Sequence, residues 1–73
     1  MKKVLTVEGM MCQNCVKHVT HALEGIPGAS DVAVDLDSKT ATVTVPDSVT
    51  DEALKAAVAD AGYEVTAIQA NEG

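Results

Sequence analysis

The stretch Asp31-Val32-Ala33-Val34-Asp35-Leu36-Asp37, continued after Ser38-Lys39 by Thr40-Ala41-Thr42-Val43-Thr44-Val45, alternates apolar and polar residues through both halves. A period of two with many β-branched side chains is the pattern of a strand with one buried face. Val32, Val34 and Leu36 are expected to point inward and the aspartates outward, with Asp37-Ser38-Lys39 as the polar turn of a hairpin. Pro46, which has no N–H to donate, stops the second strand.

Each flank of this hairpin carries one strand and one helix, and no internal repeat appears. Before it, residues 3–8 alternate, with Leu5 and Val7 on one side and Val4, Thr6 and Glu8 on the other, and Gly9 ends the run. From about Cys15 to Glu24 the spacing turns helical: Val16, Val19 and Leu23 share a stripe, and Gly25 with Pro27-Gly28 ends it. After the hairpin, Thr50 can cap a helix whose first turn carries Asp51 and Glu52, which suits the positive end of the helix dipole. Leu54, Ala57, Val58 and Ala61 form its apolar stripe, Gly62 ends it, and Tyr63 to Ile68 read as a last strand. The order is β-α-β-β-α-β. An α+β, ferredoxin-like sandwich, with two helices on one face of a four-stranded antiparallel sheet, satisfies every apolar stripe. Residues 1–69 are expected to form one domain, and 70–73 a polar tail.

A chain of 73 residues has room for one small domain and not for a cleft between two. Val and Ala supply 22 of its apolar residues, and it has no Trp or Phe and one Tyr, so the core is built from small side chains. No apolar run nears the ~20 residues of a membrane span, which predicts a soluble chain without membrane insertion. With 5 Lys, no Arg and a net charge of −6, the chain lacks the cations that neutralise phosphates, which argues against nucleic acid and against an anionic membrane surface. A protein partner with a basic face suits it instead. The apolar stretch after Lys2-Lys3 is too short and polar for a signal-peptide core, so the expected compartment is the cytoplasm, where Cys12 and Cys15 stay reduced. Met1 and the short tail favour a complete protein over one domain of a transporter. There is no Ser-His-Asp pattern, phosphate loop or carboxylate pair to support catalysis.

The chemistry lies in Gly9-Met10-Met11-Cys12-Gln13-Asn14-Cys15, between the first strand and the first helix. Two cysteines three apart bring both sulfurs to one point when the first lies in the loop and the second opens the helix. Free N–H groups and the helix dipole there favour negative charge and lower thiol pKa values. Paired thiolates suit soft metals. Structural zinc takes four ligands almost without exception, and this loop offers two and no carboxylate. Two thiolates satisfy cuprous copper, and an under-coordinated ion is open to attack by another protein's thiols, as a carrier requires.

Gly9-Met10-x-Cys12-x-x-Cys15 after a first strand resembles the signature of the heavy-metal-associated domain family, bacterial copper chaperone type. The resemblance runs from about Lys3 to Ile68 and takes in Val32-Ala33-Val34-Asp35-Leu36 and Ala61-Gly62-Tyr63. It implies copper(I) bound by Cys12 and Cys15 and passed by ligand exchange to the metal-binding domain of a copper-transporting P-type ATPase. It implies that Met10 packs into the core and steadies the loop, and that Tyr63 lies beside the site and shields or tunes the ion. It also implies a metal-free monomer and allows a copper-bridged homodimer. Met11 stands where the family often has Thr or Ser, and Asn14 where several bacterial members have His.

Rival readings remain. The same CxxC pair serves thiol–disulfide oxidoreductases, although Pro27 and Pro46 fall far from it in sequence. Mercury, zinc or cadmium could replace copper as the cargo. Met11 reads as an exposed partner contact rather than a third ligand. His18 and His21, three apart on a helix, read as two solvated residues rather than a second metal site.

Overall fold

The computed structural model describes residues 1–70. Its elements are β1 (Lys2–Glu8), α1 (Gln13–Glu24), β2 (Ser30–Asp35), β3 (Thr40–Thr44), α2 (Asp51–Asp60) and β4 (Glu64–Ala70). The strands form one antiparallel sheet in the order β2-β3-β1-β4. This is the ferredoxin-like sandwich expected from the alternating and helical stripes. Leu5, Val7, Ala41 and Val43 from the central strands are buried against Val19 and Leu23 of α1 and Leu54 and Val58 of α2. Alternation places Val4, Thr6, Thr40, Thr42 and Thr44 on the opposite, half-exposed face.

The hairpin forms with two departures from strict alternation. Asp31 takes φ +52, and the β2–β3 register shifts between Ser30 and Ala33. Aspartate tolerates this left-handed region better than most residues, so the bulge costs little. The turn also starts one residue earlier than expected, at Leu36: the Asp37 N–H donates to Asp35 Oδ1 over 3.0 Å, and Lys39 takes φ +58. Val32 and Val34 are only half-buried because β2 is an edge strand, and Leu36, in the turn, is half-buried too.

The helix ends differ in kind. In α2, Thr50 Oγ1 accepts from the Ala53 N–H over 3.2 Å, as a capping threonine should. Asp51 in that first turn also pairs with Lys3 Nζ at 3.1 Å, tying β1 to α2. Gly25 ends α1 in the right-handed region at φ −74, so no glycine is needed there. The glycine requirement falls at Gly28, at φ +86, where a Cβ would come within 2.9 Å of the Pro46 ring. β4 begins at Glu64 rather than Tyr63 and includes Ala70, which pairs with Lys3. The rest of the expected polar tail, 71–73, lies outside the described residues.

Candidate metal centre

β1 ends at Gly9, whose φ of +99 turns the chain away from the sheet. Met10 then drops back into the core, 6% exposed. Met11 points the other way and is 85% exposed, the most open large apolar side chain of the loop. One buried and one exposed methionine in succession fix the loop and leave an apolar knob beside the cysteines.

Cys12 is the N-cap of α1, in extended backbone, and its side chain caps nothing. Its carbonyl accepts from the Cys15 and Val16 N–H groups at 3.0 and 3.3 Å. The helix therefore starts at Gln13, two residues before the spacing suggested, because a thiol leaves no capping signal in the sequence. Cys15 lies in the first turn, half-buried against the core, while Cys12 is exposed. The two sulfurs are 3.8 Å apart and both thiols are free.

The Cys15 thiol is lowered from 9.0 to about 7, chiefly by a hydrogen bond from the Met11 backbone and next by one from the Tyr63 hydroxyl. Cys12 adds smaller hydrogen-bonding contributions, and partial burial opposes them all. Of the free N–H groups and helix dipole expected to lower it, a backbone donor is the leading cause for Cys15, with the Tyr63 hydroxyl added. Tyr63 moves the other way: its pKa is raised because its proton is engaged with the Cys15 sulfur. The loop between α2 and β4 carries this tyrosine to the site, and the ring is half-buried.

The structure thus brings Cys12, Cys15 and Tyr63 together, with Met10 beneath and Met11 outside. It also adds a residue that sequence reading left as solvated. His18 Nδ1 lies 3.3 Å from the Tyr63 hydroxyl, across 45 positions of sequence. The available signal was its spacing from Cys15, three residues along one helix face. Among the described residues no group of three or more Cys, His, Asp or Glu side chains is placed to hold a metal ion. The two thiols stand as a pair, with no third such side chain grouped with them among the described residues. Among the described residues no helix is long and apolar enough to cross a membrane.

A ferredoxin-like sandwich with a two-cysteine loop at its first strand–helix junction defines a class of small metal-binding domains. This chain belongs to the heavy-metal-associated domain family, whose model matches residues 4–64. It is 40% identical over 65 residues to the copper chaperone CopZ of Staphylococcus epidermidis, covering 88% of this chain and 96% of that protein. It is 47% identical over 62 residues to copper-transporting ATPase 2 of Rhizobium meliloti, covering 84% of this chain but only 8% of the ATPase. The solved structure of a CopZ metallochaperone superposes with a TM-score of 0.85 at 36% identity, covering 90% of this chain and 100% of that one.

Proposed function

We propose that this chain is a carrier of copper(I), with Cys12 and Cys15 as the two ligands. The observation that carries the reading is a pair of free thiols 3.8 Å apart at an exposed helix N-terminus, with no third ligand beside them among the described residues. A soft ion is favoured by two thiolates, and an incomplete ligand set leaves it open to exchange. Metal–thiolate bonds of about 2.3 Å arranged trigonally would separate their sulfurs by about 4.0 Å. The observed pair is close to that spacing, so a partner's thiolate can join before either cysteine leaves.

Exposure gives the exchange an order. A partner's thiolate bonds to the ion, Cys12 leaves first because it is the open ligand, and Cys15 follows as a second thiolate arrives. The ion keeps its charge and no electron is transferred. The acceptor we infer is the metal-binding domain of a copper-transporting P-type ATPase. The similarity to CopZ and to a stretch of a copper-transporting ATPase supports this, because similar domains present similar ligand pairs to one another. A reducing cytoplasm suits two free thiols. Disulfide chemistry fits less well: the lowered thiol is the half-buried Cys15, while the open one is Cys12.

Anaerobic titration with copper(I), zinc and mercury(II) against chelators, with the mass read at each step, tests the reading. One copper(I) per chain should bind tightly, and Cys12→Ser or Cys15→Ser should abolish it. Equal affinity in the double serine variant would overturn the assignment. Reduction of a test disulfide by the metal-free protein, without tight copper binding, would favour the oxidoreductase instead.

A further inference from the structure

We propose that Tyr63 is a strap across the two ends of the metal loop and that His18 is the positioning residue that fastens it. The functional consequence rests on the copper reading above. The loop enters from β1 at Gly9 and leaves along α1. Tyr63 touches both ends. A Cβ at Gly9 would lie 3.5 Å from Tyr63 Cδ1, so the ring rests on the Gly9 backbone. The hydroxyl of the same ring lies 3.3 Å from His18 Nδ1, which stands three residues after Cys15 on α1. The His18 and Tyr63 rings are tilted by 44° with centroids 6.5 Å apart, so they meet through their polar atoms rather than by stacking.

The root of the strap is fixed. Gly62 turns the chain out of α2 at φ +96, and a Cβ there would meet nothing within 4 Å, so this glycine serves the turn and not the packing. The Gly62 and Tyr63 N–H groups donate back to the Ala59 and Val58 carbonyls over 2.9 and 3.3 Å. The backbone is therefore tied to α2, the ring leans on the end of β1, and the hydroxyl reaches α1. The hold on α1 is a single hydrogen bond between exposed groups, the one of the three that opens most readily. Opening the metal loop moves its strand end against its helix end, and a fastened ring resists that movement. The sulfurs then keep their 3.8 Å spacing in the metal-free chain, and an ion meets a pair already placed. With the hydroxyl released, the loop relaxes and a competing ligand gains access to the ion.

Tyr63 is the chain's one Phe, Tyr or Trp residue, so its fluorescence reports the strap alone. Acrylamide should quench it more strongly in His18→Leu than in the wild type, while His21→Leu, exposed one turn along, should match the wild type. Amide exchange in the metal-free, reduced protein reads the loop. The Cys15 and Val16 N–H groups, which donate to the Cys12 carbonyl, should exchange about three- to tenfold faster in His18→Leu and in Tyr63→Phe, the worth of one hydrogen bond. The double variant should be no faster than either single one, and His18→Gln, which keeps a polar end, should recover most of the protection. The core amides of Leu5 and Val19 should not change. Chelator capture of copper(I) from the loaded protein should quicken by the same factor. Unchanged loop exchange or unchanged capture in His18→Leu, multiplying effects in the double variant, or equal acceleration of the core amides would overturn the proposal. Failure of the wild type to bind copper(I) would overturn the copper reading instead, and the exchange measurements would still decide the strap.

Discussion

Alkylation of Cys15 should inflect near pH 7, and the size of the effect follows from the site. At pH 7 a thiol at about 7 is half ionised, whereas one at 9.0 is about 1% ionised, a gain of about 50-fold in thiolate. A less basic thiolate is also a poorer nucleophile, and with a Brønsted slope of 0.4–0.5 a two-unit drop costs about 8-fold. The net expectation at pH 7 is a rate about 6-fold above that of an unperturbed thiol of equal access. Well above pH 9 the comparison reverses, and Cys15 should react about 8-fold more slowly. Partial burial slows both limits alike and leaves the inflection in place. The assay is timed iodoacetamide labelling of the metal-free, reduced protein across pH, with each cysteine read from its own peptide by mass. Tyr63→Phe should move the Cys15 inflection upward without restoring 9.0, because the larger Met11 backbone contribution remains. A wild-type inflection near 9.0, or no movement in Tyr63→Phe, would refute the reasoning.

The same shift has a consequence for folding, of definite sign. Cys15 binds its proton less tightly in the folded chain than in the unfolded one. Its contribution to stability is therefore fully present above the unfolded value and is lost as pH falls through the folded value. Urea midpoints of the metal-free, reduced protein should rise between about pH 7 and about pH 9, and Cys15→Ser should flatten that rise.

Met11→Thr should leave copper(I) affinity unchanged in a chelator competition and weaken transfer to an acceptor domain; a large loss of affinity would revive Met11 as a ligand. Gly28→Ala should destabilise the fold by about 1–3 kcal/mol in urea melts, since it forces a left-handed backbone and a Cβ against Pro46, while copper binding by the folded fraction stays intact. During chelator capture of copper(I), pulse alkylation should label Cys12 before Cys15, read by peptide mass; the opposite order would contradict the exchange sequence proposed from their exposure. With a net charge of −6, transfer to an acceptor with a basic face should slow as salt rises, measured as the transfer rate between low and physiological ionic strength.

What the sequence makes legible is what repeats locally. The alternation of Leu5 with Val7, of Val32 with Val34 and of Ala41 with Val43 locates the strands, and Thr50 with Asp51 and Glu52 locates the start of α2 through ordinary capping chemistry. The start of α1 is obscured because Cys12 occupies the cap and its thiol does not perform the capping bond. The Asp31 bulge is obscured because a residue tolerant of positive φ gives permission for a bulge, not a requirement. Ala70 looks like tail in a polar segment, and only its pairing with Lys3 places it in β4. At the site, the cysteine pair follows from spacing and Tyr63 from family resemblance. For His18 the three-residue spacing from Cys15 shows only that it is near the site; its contact with Tyr63, 45 positions away, is made by the fold.

The two thiols differ in a way their equal appearance in the motif conceals. Cys12 caps a helix without using its sulfur, so nothing among its own backbone bonds restrains that side chain. Cys15 is half-buried with its base packed on the core, and the Met11 backbone and Tyr63 lower its pKa. A carrier needs such a difference. Two equally open thiolates would let either leave first and give a partner no defined path, while two equally held thiolates would resist transfer altogether. In the exchange proposed above, the open Cys12 would admit the partner and the half-buried Cys15 would keep the ion until the second bond is made. The buried Met10 gives this asymmetry a fixed frame by tying the loop to the core. In the proposed exchange the exposed Met11 beside it would offer the partner an apolar contact.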